Sequence, residues 1–304
     1  MLKQLDTSHI NKHLGQSSKY VSQYDKSLLV REPRSMNRTQ LDIKCDDPPF
    51  KGYDVWNGYE ISALLNNGRP FAAIAKVVYP ATNKFIVESK SMKLYWNSFN
   101  NTNMGETVDE AIKAVEERAA TDLSELLETN VRVVLFKPDH LDDTRSYQFY
   151  NYINLENSFD VECSVYTETP ELLKISTENT MYTYDNRGIV RFKSSLLKSN
   201  CKITSQPDWG DVFIQMTPDT KYIEPESLLQ YIVSFRNECH FHEEICETIY
   251  KRLLDIYIPK ELFVMCAYTR RGGWDIVPIR ASHDYLLPSE LIQPSTLWNK
   301  MSRQ

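Results

Sequence analysis

The sequence predicts an α+β protein built from two tandem copies of one antiparallel-sheet-plus-helices unit. Three observations carry this. Apolar runs of strand length alternate with two longer stretches whose apolar residues recur at helical spacing. The order strand, helix, strand occurs in each half of the 304 residues. Asn97-Ser98-Phe99-Asn100-Asn101 is echoed by Val233-Ser234-Phe235-Arg236-Asn237, each expected to follow a strand and to precede a long helix and a further strand.

Residues 1–50 are polar and irregular and end in Asp47-Pro48-Pro49. They read as an N-terminal arm, ordered by packing on the body. Its basic residues Lys26, Arg31, Arg34 and Arg38 are interspersed with acidic ones, which favours a solvated arm over a nucleic-acid tail. The first unit is expected over 51–150. Segments 71–79, 85–88 and 93–96 read as strands, with a turn at 81–84. Thr107 and Glu110 have capping-box spacing, and Val108, Ile112, Val115, Ala119, Leu123 and Leu126 share one helical face. Segment 131–136 is a strand. In the second unit, 151–304, segments 188–197 and 212–216 read as strands, and 228–235 is an apolar run. A helix from about Glu238 buries Phe241, Ile245, Ile249, Leu253 and Ile256, and strands follow at 262–268 and 276–279.

Composition narrows the function. The chain is 41% hydrophobic and 25% charged, enough for a core without a disulfide framework. A net charge of −6 speaks against direct nucleic-acid binding, although not against a small basic pocket for a phosphorylated cofactor. Six scattered cysteines without a CxxC pair predict free thiols and a cytoplasmic location. No run approaches the ~18 apolar residues of a membrane span, and the first residues lack a signal-peptide core.

Four segments hold chemistry-bearing residues. Cys201, after an apolar strand and beside Lys202, is followed by Asp208 in a proline-containing turn. A thiol nucleophile beside a carboxyl proton donor suits addition to an electrophilic carbon, and an inert cysteine with a turn aspartate fits the same spacing. Glu88-Ser89-Lys90-Ser91-Met92-Lys93 offers a carboxylate for the N–H edge of a guanine-like base, with hydroxyls and cations for phosphates; read alone it is equally an exposed strand. In His240-Phe241-His242-Glu243-Glu244 the acidic pair is fully explained by a helix start. Two histidines at i, i+2 do not share a helix face, and no HxxxH or CxxC partner exists, so no metal is expected. Thr269-Arg270-Arg271-Gly272-Gly273 looks like a tight turn presenting a guanidinium and N–H groups to an anion. Nine glycines without GxGxxG exclude a Rossmann cofactor domain.

Together these blocks (ESKSMKLY from Glu88, SNC…QPDW around Cys201 and Asp208, SFRN…FHE from Ser234 to Glu243, YTRRGG from Tyr268) resemble the 7-cyano-7-deazaguanine reductase family in its long, two-module form, over roughly 50–288. That resemblance implies tandem tunnelling-fold modules and reduction of a nitrile to an aminomethyl group with two NADPH, in tRNA queuosine biosynthesis. It implies that Cys201 forms a thioimide and that Asp208 supplies a proton. Val87, Glu88, Ser89, His242 and Glu243 are expected to meet the base, and Ser89, Lys90, Arg271 and Gly272 the NADPH. Trp209 and Phe241 are expected as pocket walls, Cys239 and Cys246 as structural thiols, and His240 has no assigned role. A homodimer is expected, because two-module chains still pair to complete a barrel. The competing readings are a thiol-dependent nitrile hydrolase, which consumes water rather than NADPH, and a non-catalytic purine- or pterin-binding protein of this fold. A zinc-dependent cyclohydrolase of the same fold is disfavoured by the missing ligand set.

Overall fold

A computed structural model of the chain describes residues 20–138, 151–176 and 188–297, together with Gln304. The architecture is α+β. The first half runs β1 (Lys51–Leu64), β2 (Pro70–Pro80), α1 (Ser89–Asn97), α2 (Val108–Leu127) and β3 (Arg132–Phe136). The second runs β4 (Val190–Cys201), β5 (Pro207–Thr217), α3 (Pro225–Ser234), α4 (His242–Tyr257), β6 (Glu261–Tyr268) and β7 (Trp274–Ala281). These seven strands belong to one nine-stranded sheet, in which β4-β5-β6-β7-β1-β2-β3 is antiparallel at every step. The short strands Cys239–His240 and Ile153–Asn154 add to β4 in parallel. The halves join where β7 pairs with β1, from Trp274↔Gly58 to Ala281↔Lys51.

The echo between the halves is structural. Ser98 and Ser234, both fully buried, each donate a side-chain hydrogen bond to the carbonyl three residues back, Tyr95 at 2.6 Å and Tyr231 at 2.7 Å. The rings of Tyr95 and Phe99 lie 5.3 Å apart, as do those of Tyr231 and Phe235. Each first hairpin strand carries a register irregularity, at Gly58/Ile61 in β1 and at Ser194/Leu197 in β4. Each long helix ends on a left-handed residue, Glu128 or Ile258.

The element expected before each echo was a strand, and there the structure differs: 89–97 and 225–234 are helices. In α1, Ser91, Met92, Tyr95 and Trp96 are buried, the i, i+3, i+4 set of one helix face, while Glu88 caps the start. In α3 eight of ten residues are buried, so the apolar run has no polar stripe to reveal its period. The α2 capping box of Thr107 and Glu110 is formed as expected.

Helices α1 and α2 cover the first half's strands, with Ala111, Val115, Ala119 and Leu123 packed among Ala73, Ala75 and Val77. Ile245, Ile249 and Leu253 of α4 pack among Val212, Ile214, Leu262 and Val264 in the second half. A third cluster joins Val55, Val78, Phe263, Met265 and Val277 to Leu287 and Leu291 of the C-terminal segment. The unit boundary expected at 150–151 falls beside 139–150, outside the described residues.

Lys26 and Arg31 of the arm are solvated as expected, but Arg34 and Arg38 are not. Arg34 and Arg38 are 3% and 0% exposed and lie in a five-charge cluster with Asp54 of β1, Glu247 of α4 and Arg280 of β7. Glu247 accepts from Arg38 at 2.8 and 3.0 Å and from Arg280 at 2.9 and 3.2 Å; Asp54 takes Arg280 at 2.8 Å and pairs with Arg34. Burial of five charges costs much free energy unless every one is paired and hydrogen-bonded, and this geometry meets that condition across four chain segments.

Candidate active site

The site is assembled by four turns. Cys201 ends β4, and the hairpin to β5 closes with the Cys201 N–H donating to the Gln206 carbonyl at 2.8 Å and the Ser205 N–H to the Cys201 carbonyl at 2.9 Å. Its register sets Ser199 opposite Asp208. Next to it, Cys239–His240 pairs in parallel with Asn200 and Cys201, delivering the first residues of α4, His242 and Glu243, to the same end of the sheet. The β6–β7 turn folds on two left-handed glycines, Gly272 and Gly273, and brings Arg271 over the hairpin. From the first half comes the strand Phe85–Val87, paired with Arg31–Pro33, and then the N-terminus of α1.

These elements enclose a cleft of about 180 Å³. Of the expected residues, Val87, Ser89, Lys90, Cys201, Asp208, His242, Glu243 and Arg271 line it. Two stand outside the lining. Glu88 is buried, its two carboxylate oxygens accepting from the Lys90 N–H at 2.9 Å and the Ser91 N–H at 2.7 Å as the cap of α1. Gly272 is exposed, and its missing side chain leaves room for Lys93: an added Cβ would lie 3.2 Å from Lys93 Cδ. Phe241 is a wall as expected. Trp209 is not: it follows Asp208 on a strand, so its side chain turns to the opposite face, where it is 37% exposed beneath Arg236. The apolar walls are instead Trp56, Trp274 and Ile276, contributed by the β1–β7 seam, where Ile276 pairs with Trp56. Sequence reading carried no signal for that cross-half register. Lys93 and His240 also line the cleft and had no assigned role.

Glu243 is 3% exposed, and its Oε1 has no hydrogen-bond partner among the described residues. Burial, and then the negative Asp54 nearby, push its carboxyl up to about 8, against the opposing pull of Arg34 and Arg280. A buried acceptor aimed at a cleft is costly unless a ligand donor meets it. Asp208 behaves oppositely. Burial pushes it up, but the hydrogen bond and charge of His242, with Arg271, outweigh burial and hold it below the usual carboxylate range. His242 Nε2 lies 3.3 Å from Asp208 Oδ2, and the ring is stacked on Tyr268 at 3.8 Å. Arg271 forms an ion pair with Asp208 Oδ1 and donates to the Pro207 carbonyl at 3.2 Å. Lys93 is half-buried; burial and then Arg271 lower its pKa, while Glu88, Asp208 and Cys201 raise it. Beside the cysteine, His240 sits between Glu238 at 3.4 Å and Glu244 at 3.1 Å, which outweigh burial and raise it to about 9; Lys202 reaches Glu244 at 2.9 Å rather than Cys201.

The donor set fits a dinucleotide phosphate without a Rossmann loop: the Ser89 hydroxyl, Lys90, Lys93 and Arg271 surround the N-terminal turn of α1, whose helix dipole favours an anion. Cys246 is buried against the Val264 and Pro278 carbonyls, while Cys239 is exposed. Among the described residues no group of three or more His, Cys, Asp or Glu is placed to hold a metal, and no helix is long and apolar enough to cross a membrane.

Residues 20–135 match the family described as nitrile reductase, 7-cyano-7-deazaguanine-reductase N-term, and residues 207–285 match the family of QueF-like proteins. The NADPH-dependent 7-cyano-7-deazaguanine reductase of Polaromonas sp. is 40% identical over 279 residues, 91% of this chain and 95% of the relative. Its counterpart in Legionella pneumophila is 36% identical over 283 residues, 92% and 93% of the two chains. The crystal structure of the archaeosine synthase QueF-Like in the apo form aligns with 33% of this chain and 96% of its own at 20% identity and a TM-score of 0.30.

Proposed function

The chain belongs to the NADPH-dependent 7-cyano-7-deazaguanine reductase family, and from that premise we propose that the cleft between its halves reduces the nitrile of 7-cyano-7-deazaguanine to an aminomethyl group, with Cys201 as nucleophile and Asp208 as proton carrier. The observation that carries the reading is the convergence of Cys201, Asp208 and an unpartnered, buried Glu243 carboxyl on one cleft.

Glu243 receives the N–H edge of the base, since a carboxylate's two oxygens match two parallel donors. Trp56, Trp274 and Phe241 sandwich the ring system and exclude water. Ser89 and His242 adjoin the base, and Val87 closes the pocket floor. Asp208 is a carboxylate at neutral pH, so it first takes the Cys201 S–H proton. The sulfur bonds to the nitrile carbon and Asp208 returns that proton to nitrogen, giving a thioimide with no net change in protons. NADPH, held by Ser89, Lys90 and Arg271 with Gly272 making room, supplies two hydrides. Each hydride reaching carbon requires one proton on nitrogen: the first addition gives a thiohemiaminal, whose C–S bond breaks as a nitrogen-bound proton passes to sulfur, returning the cysteine thiol and leaving an imine, and the second completes the amine. Asp208, backed by His242 at 3.3 Å, delivers both protons. Glu88 acts through α1, fixing the turn that carries Ser89 and Lys90.

A homodimer fits the sheet, in which β3 is the last strand of the order among the described residues and offers an edge for a second copy. The six free thiols fit a cytoplasmic setting. The test is intact mass after mixing with the cyano base alone. A covalent gain in the wild type that disappears in Cys201→Ala, with substrate-dependent NADPH oxidation lost in the same variant, is expected. No adduct, or undiminished turnover in the variant, refutes the reading.

A further inference from the structure

Asp208 has conflicting duties in this reading. To take the Cys201 proton it must be ionised; to protonate nitrogen at each hydride step it must be reloaded and hold a proton. The groups that face it are His242 from α4, Arg271 from the β6–β7 turn, Lys93 from α1, and Tyr268 from β6. His242 is held by its stack on Tyr268, and Lys93 is wedged against Gly272. Arg271 alone of the three nitrogen bases sits on a two-glycine turn at the rim, 40% exposed at its side chain, with one foot on the Pro207 carbonyl and the Asp208 carboxylate. It also lines the same cleft as the Ser89–Lys90 turn that suits a phosphate. One guanidinium cannot serve both anions in the same geometry, and a phosphate oxygen, more highly charged than a carboxylate, competes well for it.

Resting on the function proposed above, we propose that Arg271 is a cofactor-responsive latch on Asp208: it holds the carboxylate while the thioimide forms, and exchanges it for a cofactor phosphate when hydride transfer is due, leaving Asp208 to carry protons to nitrogen. Arg271 is thus a positioning residue acting through Asp208 as well as an anchor. No atoms are added or lost by the exchange; it changes only which anion the guanidinium meets. The consequence follows from charge: an acid that loses a paired cation in a buried site binds its proton more tightly. Reloading of Asp208 for the two hydride steps, as distinct from the proton it passes from sulfur to nitrogen in forming the thioimide, is thereby tied to the state in which a hydride donor is present.

The experiment follows adduct formation from the cyano base by rapid mixing and intact mass across pH, without and with saturating NADP+, which occupies the cofactor's place but cannot donate hydride. In the wild type, NADP+ should move the acid limb of the profile to higher pH, by about tenfold in proton affinity or more. Arg271→Gln should show the moved limb already without NADP+, and no further movement on its addition; Arg271→Lys should restore part of the difference. A wild-type limb that stays in place while calorimetry shows NADP+ bound, or one that NADP+ still moves fully in Arg271→Gln, overturns the latch. Absence of any adduct in the wild type overturns the assignment of Cys201 instead.

Discussion

Substrate affinity should fall steeply below pH 8, and Glu243 sets both the direction and the size of the effect. Its carboxyl is pushed up to about 8 by burial and by Asp54. The N–H edge of the base needs the ionised form as acceptor, so binding at lower pH must first expel a proton. At pH 6, about two pH units below that midpoint, about one carboxyl in a hundred is ionised, and the apparent Kd should rise about hundredfold, or about 2.7 kcal/mol. Trp56 and Trp274 line the cleft and provide a fluorescence signal for the titration. Cys201→Ala keeps the measurement non-covalent. The charged groups around Glu243 are Asp54 on β1, Arg280 on β7, Arg34 from the N-terminal segment and Glu247 on its own helix; all four belong to the buried cluster, where Glu247 is held down to about 2. In Glu243→Gln the slope should vanish along with most of the affinity. A Kd constant within twofold between pH 6 and 9, or an unchanged slope in Glu243→Gln, would refute the reasoning. Stability carries the opposite sign. A carboxyl raised on folding contributes stability that is complete below its unfolded value and lost as pH rises through about 8. Relative to wild type, Glu243→Gln should therefore gain thermal stability by a few kcal/mol on going from pH 5 to pH 9.

Three further outcomes test other parts of the structure. Asp208→Asn should slow thioimide formation and turnover about 10²–10⁴-fold while the base still binds, checked by stopped-flow mass analysis and calorimetry; unaltered rates would remove the proton-carrier role. Gly272→Ala introduces a side chain at φ 55° and against Lys93, so the KM for NADPH should rise while base affinity in the Cys201→Ala background is unchanged. Glu247→Gln leaves three buried guanidiniums with Asp54 as their one remaining carboxylate within the cluster, and should cost about 3–5 kcal/mol. For about 300 residues that is a fall of about 5–8 °C in Tm by calorimetry.

What the sequence made legible follows from where periodicity is visible. The long helices α2 and α4 have one buried and one wet face, and the main strands are bounded by turns, so their periods are written in the chain. Helix α3 is wet on neither side and α1 is only nine residues, so both read as strands, although the Ser98 and Ser234 echoes that terminate them were visible as a repeat. Cys201 and Asp208, the proposed reacting pair, stood out together because one hairpin holds both, while their roles came only from the family resemblance. Trp56 and Trp274 did not stand out, because they meet through β1–β7 pairing between residues far apart in the chain. Arg34 and Arg38 looked solvated since a sequence displays a charge without its partner, and Glu247 lies more than two hundred positions away. The cap role of Glu88 was missed for a related reason: the reading of 93–96 as strand concealed the helix that it starts.

The buried cluster ties the N-terminal segment to substrate recognition. Glu243 and Glu247 lie one turn apart on α4, yet one carboxyl is driven up to about 8 and the other down to about 2. The difference is one of partners: Glu247 faces Arg38 and Arg280 directly, while Glu243 has Asp54 close by and feels Arg34 and Arg280 only at a distance. Arg34, Arg38 and Arg280 against Asp54 and Glu247 leave one positive charge in the interior, and the ionised Glu243 balances it. A base that draws Glu243 into its ionised form therefore completes the charge balance at the joint between the halves, where β7 meets β1. An arm with no residue in the cleft thus bears on the site: under the proposed function, its Arg34 counters the burial and the Asp54 charge that push up the acid on α4.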